Sequence, residues 1–300
     1  MDYALLEESC KCSGSFYERN HSLAEHTSMK IGGACDILAR PVSEAALADM
    51  INVCRREGIP YFILGRGSNV LISGNGWRGA VLLIGRELGG IAVDGEYVVV
   101  GAGAGLAQVC LAAADAGLGG MEFAYGIPGS VGGALYMNAG AYGGEMSDVT
   151  ESCRYIGEDG EIHEMAAADM KLRYRGSIFS ESRLCILSVR LKLFPKNTEA
   201  IRARMDELMQ KRREKQPLEY PSCGSTFKRP DGYFAAALIE ECGLKGYAIG
   251  GAQVSEKHSG FVINRGGASF DDVMRLVEHI KRTVKEKKGI ELECEMLILE

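Results

Sequence analysis

The stretch MEFAYGIPGSVGGALYMNAGAYGGE, residues 121–145, decides how the rest of the chain reads. Seven glycines lie between Gly126 and Gly144, and Glu122 and Glu145 are its only charged side chains. Glycine allows φ > 0 and lets a ligand come close to the backbone. Successive N–H groups in such a loop form anion-binding concavities. The stretch reads as a backbone cradle for a phosphate-bearing cofactor, with a tight linker as the plainer alternative.

Two further glycine-rich loops lie upstream. GRGSN (65–69) begins where the apolar strand Tyr61–Leu64 ends, a usual place for a nucleotide in α/β folds. GAGAG (101–105) falls between a strand at 97–100 and a helix at about 106–116. Neither is the dinucleotide fingerprint, which needs G-x-G-x-x-G opening a helix. Val70 follows the first loop and starts a short strand, 70–72, and Leu106 sits where the second needs glycine. A long cofactor lying across a domain junction suits these loops better than a classical NAD-binding fold.

Outward from the loops, residues 1–20 read as a loose or helical arm. A strand is expected around 35–39. Ser43 then opens a helix in which Ala46, Leu47, Met50, Ile51 and Cys54 recur at helical spacing before Gly58. With Tyr61–Leu64 this makes a β-α-β unit, whose crossover should be right-handed. Strands are expected at 80–84, 149–165 and 184–194, with YRGSIF (174–179) between the last two. Pro195 and Asn197 mark a boundary before a basic amphipathic helix, 198–215. Its KRREK run (211–215) reads as a solvated helix face. Pro217 and Pro221 precede SCGSTFKRP (222–230). A second α/β unit follows, with helices at 233–241 and 270–287, strands near 248–254 and 261–264, and a closing strand at 291–299.

Composition bounds the function. The chain has 300 residues, 46% hydrophobic and 25% charged, as in an ordinary soluble protein of two or three domains. A net charge of −6 argues against a nucleic-acid partner. The acidic N-terminus does not read as a signal peptide, and no apolar run reaches membrane-spanning length. The ten cysteines include no CxxC, so a reduced, cytoplasmic chain is expected, with thiols as small core residues. The five histidines fit no zinc spacing, so no metal is expected.

Taken in order, LGRGSNVLISGNGWRG (64–79), GIPGSVGGALYMNAGAYGGE (126–145), YRGSIF (174–179), RREKQPLEYPSCGSTFKRP (212–230) and LECEMLIL (292–299) resemble the UDP-N-acetylenolpyruvoylglucosamine reductases, the MurB family. The resemblance covers nearly the whole chain from His26. It implies an α+β fold, with an FAD-binding fold of the vanillyl-alcohol-oxidase type in two subdomains and a smaller α/β substrate-binding domain. The implied division is an arm at 1–25, an FAD-binding domain at 26–195 split near 80, a substrate-binding domain at 196–290 and a C-terminal strand at 291–300.

The implied activity is reduction of a UDP-sugar enolpyruvyl ether to UDP-N-acetylmuramate for peptidoglycan, with non-covalently bound FAD and with NADPH as hydride donor. Hydride passes to the flavin, then to the enolpyruvyl C3, and an acid protonates C2. By motif, Ser225 is the implied proton donor. Arg175 and Glu295 are the groups that polarise the substrate carboxylate and stabilise the developing enolate. Gly65, Arg66, Gly67, Ser68, Asn69, Gly129, Ser130, Gly132, Gly133, Asn138 and Gly140 are the implied cofactor contacts. Tyr142, Tyr174, Lys228 and His258 are the implied substrate contacts. A monomer is expected.

The chain departs from the family pattern in places. GRGSN replaces the commoner GGGSN, and YRGS replaces YRDS or YRES. The short loop at 180–183 resembles the compact subclass without an extra substrate-closing segment. Another flavoenzyme of the same fold, or a nucleotide-sugar binding protein without turnover, remains the alternative.

Overall fold

The structure, a computed structural model, describes residues 1–300. The chain forms two compact units, neither of them one continuous segment. Unit one is Met1–Arg19, Ile37–Arg66 and Gly79–Lys211; unit two is Asn20–Asp36, Gly67–Arg78 and Arg212–Glu300. The expected contiguous division therefore differs from the observed one. Helix 198–215 falls mainly in unit one rather than with the C-terminal segment, and residues 67–78 fall with the C-terminal segment rather than with the strand before them.

In unit one the N-terminal arm is ordered. Helix α1 (Ala4–Ser13) buries Tyr3, Leu6 and Cys10, a spacing of three and four that puts them on one face. It packs on α2 (Glu44–Arg56), whose N-cap Ser43 side chain accepts from the Ala46 N–H. The strand Tyr61–Leu64 pairs in parallel with Trp77–Leu83, in the register Tyr61↔Ala80. That sheet runs Phe16–Ser22, Ala34–Arg40, Trp77–Leu83, Tyr61–Leu64, so the two strands of the expected β-α-β unit are separated by a later one. A second, five-stranded antiparallel sheet runs Ile162–Ala166, Thr150–Ile156, Cys185–Lys192, Tyr97–Gly101, Ile91–Asp94. Helices α3 (Leu106–Asp115), α4 (Val131–Tyr136) and α5 (Thr198–Lys215) complete the unit.

An ion pair between the buried Glu122 and the half-buried Lys196 fastens this unit. Glu122 accepts from Lys196 Nζ at 2.7 Å and from the Gly120 N–H at 2.7 Å. Burial pushes the Glu122 carboxyl up, but Lys196 and the N–H groups around it together hold it below its ordinary value. A lowered folded value means that Glu122 stabilises the fold above the ordinary carboxylate range, and that this is lost as pH falls through the folded value. Lys196→Met strands the carboxylate. Because Lys196 is itself partly solvated, the expected cost at pH 7 is about 1–3 kcal/mol. Urea unfolding measures it, and an unchanged midpoint would remove the pair from the account.

Unit two holds a four-stranded antiparallel sheet in the order Ser222–Ser225, Phe261–Asn264, Ala252–Val254, Ala248–Ile249. Helix α6 (Ala235–Glu241) packs on α7 (Phe270–Lys288). Val273, Leu276, Val277, Ile280 and Val284 of α7 are buried, the stripe an amphipathic helix presents to a core. Ser269 and Asp272 close its N-terminus as a capping box, with bonds of 3.0 Å in each direction. The closing strand is shorter than expected. Only Leu297–Leu299 is regular, paired in parallel with Val70–Ile72, and Cys294 forms an isolated bridge with Phe227.

Candidate active site

In unit one, two glycine-rich loops are zipped together. The N–H of Val131 donates to the Ala104 carbonyl at 2.9 Å, that of Gly132 to Ala102 at 2.9 Å, and that of Leu106 to Gly129 at 3.1 Å. Gly105 and Ser130 bridge. Ser130 is buried, and its hydroxyl accepts the Gly133 N–H at 3.4 Å as the N-cap of α4. A Cβ at Gly65 would stand 2.6 Å from the same hydroxyl, so the backbone at Gly65 lies directly against it. The exposed Arg66 lays its guanidinium over Gly105. The structure thus brings Gly65, Arg66, Gly129, Ser130, Gly132 and Gly133 together. It adds the 101–105 loop, which the sequence counts among the loops suited to a long cofactor but from which it names no contact residue.

In the GRGSN loop, the N–H groups of Arg66, Gly67, Ser68 and Asn69 have no protein acceptor. Four consecutive donors free of the fold are the chemistry that an anionic diphosphate requires, so these residues fit the phosphates of FAD. Gly67 is at φ +57, and a Cβ there would fall 2.0 Å from the His26 carbonyl oxygen, so only glycine fits. Ser28 donates its N–H to the Gly67 carbonyl at 3.0 Å.

Downstream in unit one, Gly140 and Ala141 pair with Glu145 and Gly144 in a hairpin. Tyr142 and Gly143 at its tip have φ of +56 and +89. That twist matches a two-residue hairpin turn and displays Tyr142 to solvent. A second tight turn, 173–176, is closed by bonds between Arg173 and Gly176 at 3.0 and 3.1 Å. Arg175 sits in it at φ +54, and its Nη2 donates to the Gly140 carbonyl at 3.5 Å. Its guanidinium lies 5.0 Å from the ring of the exposed Tyr174. Gly140 and Arg175 are therefore joined, with Tyr142 and Tyr174 displayed on the same two turns. Asn138 is fully buried and both ends of its amide are engaged by the protein, so its side chain is not available to hold a cofactor.

In unit two, the strand carrying Ser225 bulges. Ser222 pairs with Ile263 and Ser225 with Phe261, leaving one extra residue on the first strand. Gly224 takes up the bulge at φ +75. Bulges re-aim the side chains beside them. The Ser225 hydroxyl is half-buried and bonds no other group of the protein. The next residue, Thr226, receives the Glu295 N–H on its carbonyl at 2.9 Å, and Lys228 donates its N–H to the Glu293 carbonyl at 2.8 Å. The segments that carry Ser225 and Glu295 thus run antiparallel side by side, with Thr226 opposite Glu295. Asn69 fixes the far side of Glu295, since its Nδ2 donates to the Glu295 carbonyl at 3.1 Å and its own carbonyl accepts the Leu297 N–H at 2.9 Å. The Asn69 side chain thereby anchors the C-terminal segment.

Three titratable neighbours are sorted by their surroundings. Burial pushes the Cys223 thiol up to about 12, and its Sγ lies 3.3 Å from the Val70 carbonyl, so it is no acid at neutral pH. Burial lowers the His258 pKa, which keeps the ring neutral at pH 7. Its Nδ1 accepts the Gly260 N–H at 3.1 Å, which assigns the proton to Nε2. Lys228 pairs with Glu293 at the surface.

No helix of the structure is long and apolar enough to cross a membrane. The family model described as "FAD binding domain" matches residues 35–166, and that described as "UDP-N-acetylenolpyruvoylglucosamine reductase, C-terminal domain" matches residues 216–299. The UDP-N-acetylenolpyruvoylglucosamine reductase of Syntrophomonas wolfei is 48% identical over 280 residues, 93% of this chain and 94% of that protein. That of Caldanaerobacter subterraneus is 50% identical over 280 residues, 93% of this chain and 92% of that protein. The crystal structure of UDP-N-acetylenolpyruvylglucosamine reductase (MurB) from Thermus caldophilus superimposes with a TM-score of 0.82 at 36% identity, covering 95% of this chain and 100% of that one. With the α+β architecture and the FAD-binding match of the expected fold both present, the chain belongs to the UDP-N-acetylenolpyruvoylglucosamine reductase family and is an FAD-dependent oxidoreductase.

Proposed function

We propose that the protein reduces UDP-N-acetyl-3-O-(1-carboxyvinyl)-glucosamine to UDP-N-acetylmuramate with NADPH, a step of peptidoglycan synthesis. The observation that carries this reading is the Ser225 hydroxyl, aimed by a bulge, bonded to nothing in the protein, and one residue before the Thr226 carbonyl that receives the Glu295 N–H. A side chain kept free of the fold is available to a substrate. Bound FAD would relay hydride from the nicotinamide to C3 of the enolpyruvyl group.

The chain's own residues do the rest. Ser225 Oγ holds the proton that C2 receives. A serine hydroxyl is a weak acid in water, so it needs charge developing on the substrate to draw the proton. Arg175 as a cation, and Glu295 through a hydrogen bond donated by its carboxyl group, stabilise that charge on the enolate and its carboxylate, the kind of electrostatic assistance that is often the largest catalytic contribution. Lys228 and the neutral His258 contact the UDP-sugar as a cation and an Nε2–H donor, and Tyr142 and Tyr174 contribute ring faces. Gly65–Asn69 and Gly129–Gly133 hold the FAD diphosphate through backbone N–H groups.

All ten cysteines are free and most are buried, which suits a reducing cytoplasm. Steady-state assay tests the reading. NADPH oxidation that depends on the enolpyruvyl substrate, with the saturated lactyl ether as product, is expected. Oxygen uptake with substrate in the absence of NADPH would mark an oxidase instead.

A further inference from the structure

Arg175 is held in a left-handed conformation that arginine rarely adopts, at φ +54. Such a residue stays put only when its surroundings over-determine it. Two buried side chains supply that restraint. Ser177 is fully buried, and its Oγ donates to the Tyr136 carbonyl at 2.7 Å. Asn138 is also fully buried, and its Nδ2 donates to the Arg173 carbonyl at 3.3 Å. The two bonds cross between the same pair of segments, 136–138 and 173–177, on either side of Arg175.

The other end of the Asn138 amide accepts the Ser147 N–H at 2.9 Å, so one side chain also ties in the base of the Tyr142 hairpin. The Gly140 carbonyl, two residues beyond Asn138, receives the Arg175 guanidinium. The clasp and the group it positions therefore share one framework. Neither side chain reaches solvent, so neither touches substrate.

We propose that Ser177 and Asn138 are positioning residues that set the Arg175 guanidinium for the substrate step. This rests on the assignment of Arg175 to that step. A double-mutant cycle reads it. The rate at which the enolpyruvyl substrate reoxidises the reduced enzyme is measured for Ser177→Ala, Arg175→Ala and the pair. Ser177→Ala should slow that rate about tenfold, because a small misplacement of a charged group is costly. It should leave the NADPH step unchanged, and it should add less than about twofold when Arg175 is already alanine. Ser177→Thr, which keeps the hydroxyl, should restore much of the rate. Should Ser177→Ala not accumulate, Asn138→Gly tolerates the φ of +42 at that position and reads the same cycle.

The same factor lost in both backgrounds, or equal slowing of both half-reactions, would overturn the positioning role while leaving Arg175 in place. An Arg175→Ala enzyme with a normal substrate step would overturn the role of Arg175 and this proposal together.

Discussion

Ser225→Ala enzyme is expected to bind FAD and be bleached by NADPH at the wild-type rate, yet to turn over about 10²–10⁴-fold more slowly. The hydroxyl makes no bond within the protein, so its removal takes little from the fold. The bulge at Gly224 is set by backbone pairing to Phe261 and stays in place. What is lost is the proton at C2, and so the block falls on the second half-reaction alone. Cys223 offers no substitute, because its thiol is buried and pushed up to about 12. Stopped-flow absorbance separates the two halves. An alanine variant reoxidised by substrate at the normal rate would take Ser225 out of the mechanism.

Glu295→Ala carries the second large effect, a loss of about 10²–10³-fold in the substrate half-reaction, typical of removing one electrostatic stabiliser. The backbone there is fixed independently of the side chain. The Glu295 N–H bonds Thr226 at 2.9 Å, its carbonyl accepts from Asn69 at 3.1 Å, and the parallel pairing of Leu297–Leu299 with Val70–Ile72 follows at once. Truncation should therefore remove the carboxyl group without moving the strand. The FAD dissociation constant should change little. If flavin is lost as readily as activity, Glu295 supports the fold rather than the chemistry.

Much of the local structure was legible because it depends on periodicity. Tyr61–Leu64, Val70–Ile72, Phe261–Asn264 and Thr198–Lys215 lie where the sequence places them. The apolar face of α7 could be read in the same way. What periodicity does not carry is long-range pairing. Residues 67–78 and 20–36 cluster with the C-terminal third, and nothing local in GRGSN signals that its asparagine would clamp Glu295. The alternation Glu291, Glu293, Glu295 reads as a strand face. In the structure, Lys285 meets Glu291 at 2.5 Å, Lys228 meets Glu293, and the regular strand begins only at Leu297.

The site was legible in part. The glycine loops declare a cradle by composition. Arg175, Ser225 and Glu295 each look ordinary on their own, and only the order of motifs marks them. Their geometry then supplies what composition lacked: an arginine at positive φ, a serine after a bulge, and a glutamate fixed on both sides by backbone bonds. Asn138 shows the opposite case. The resemblance implies a cofactor contact at Asn138, and only its burial and its bonds to Arg173 and Ser147 show that the amide is spent inside the protein.

The most direct test of the account follows the visible spectrum of the purified protein without oxygen. A flavin band should be present, should bleach on adding NADPH, and should return on adding the enolpyruvyl sugar nucleotide. Colourless protein that binds no added FAD, or a band bleached by NADPH that the sugar nucleotide fails to restore, would contradict it.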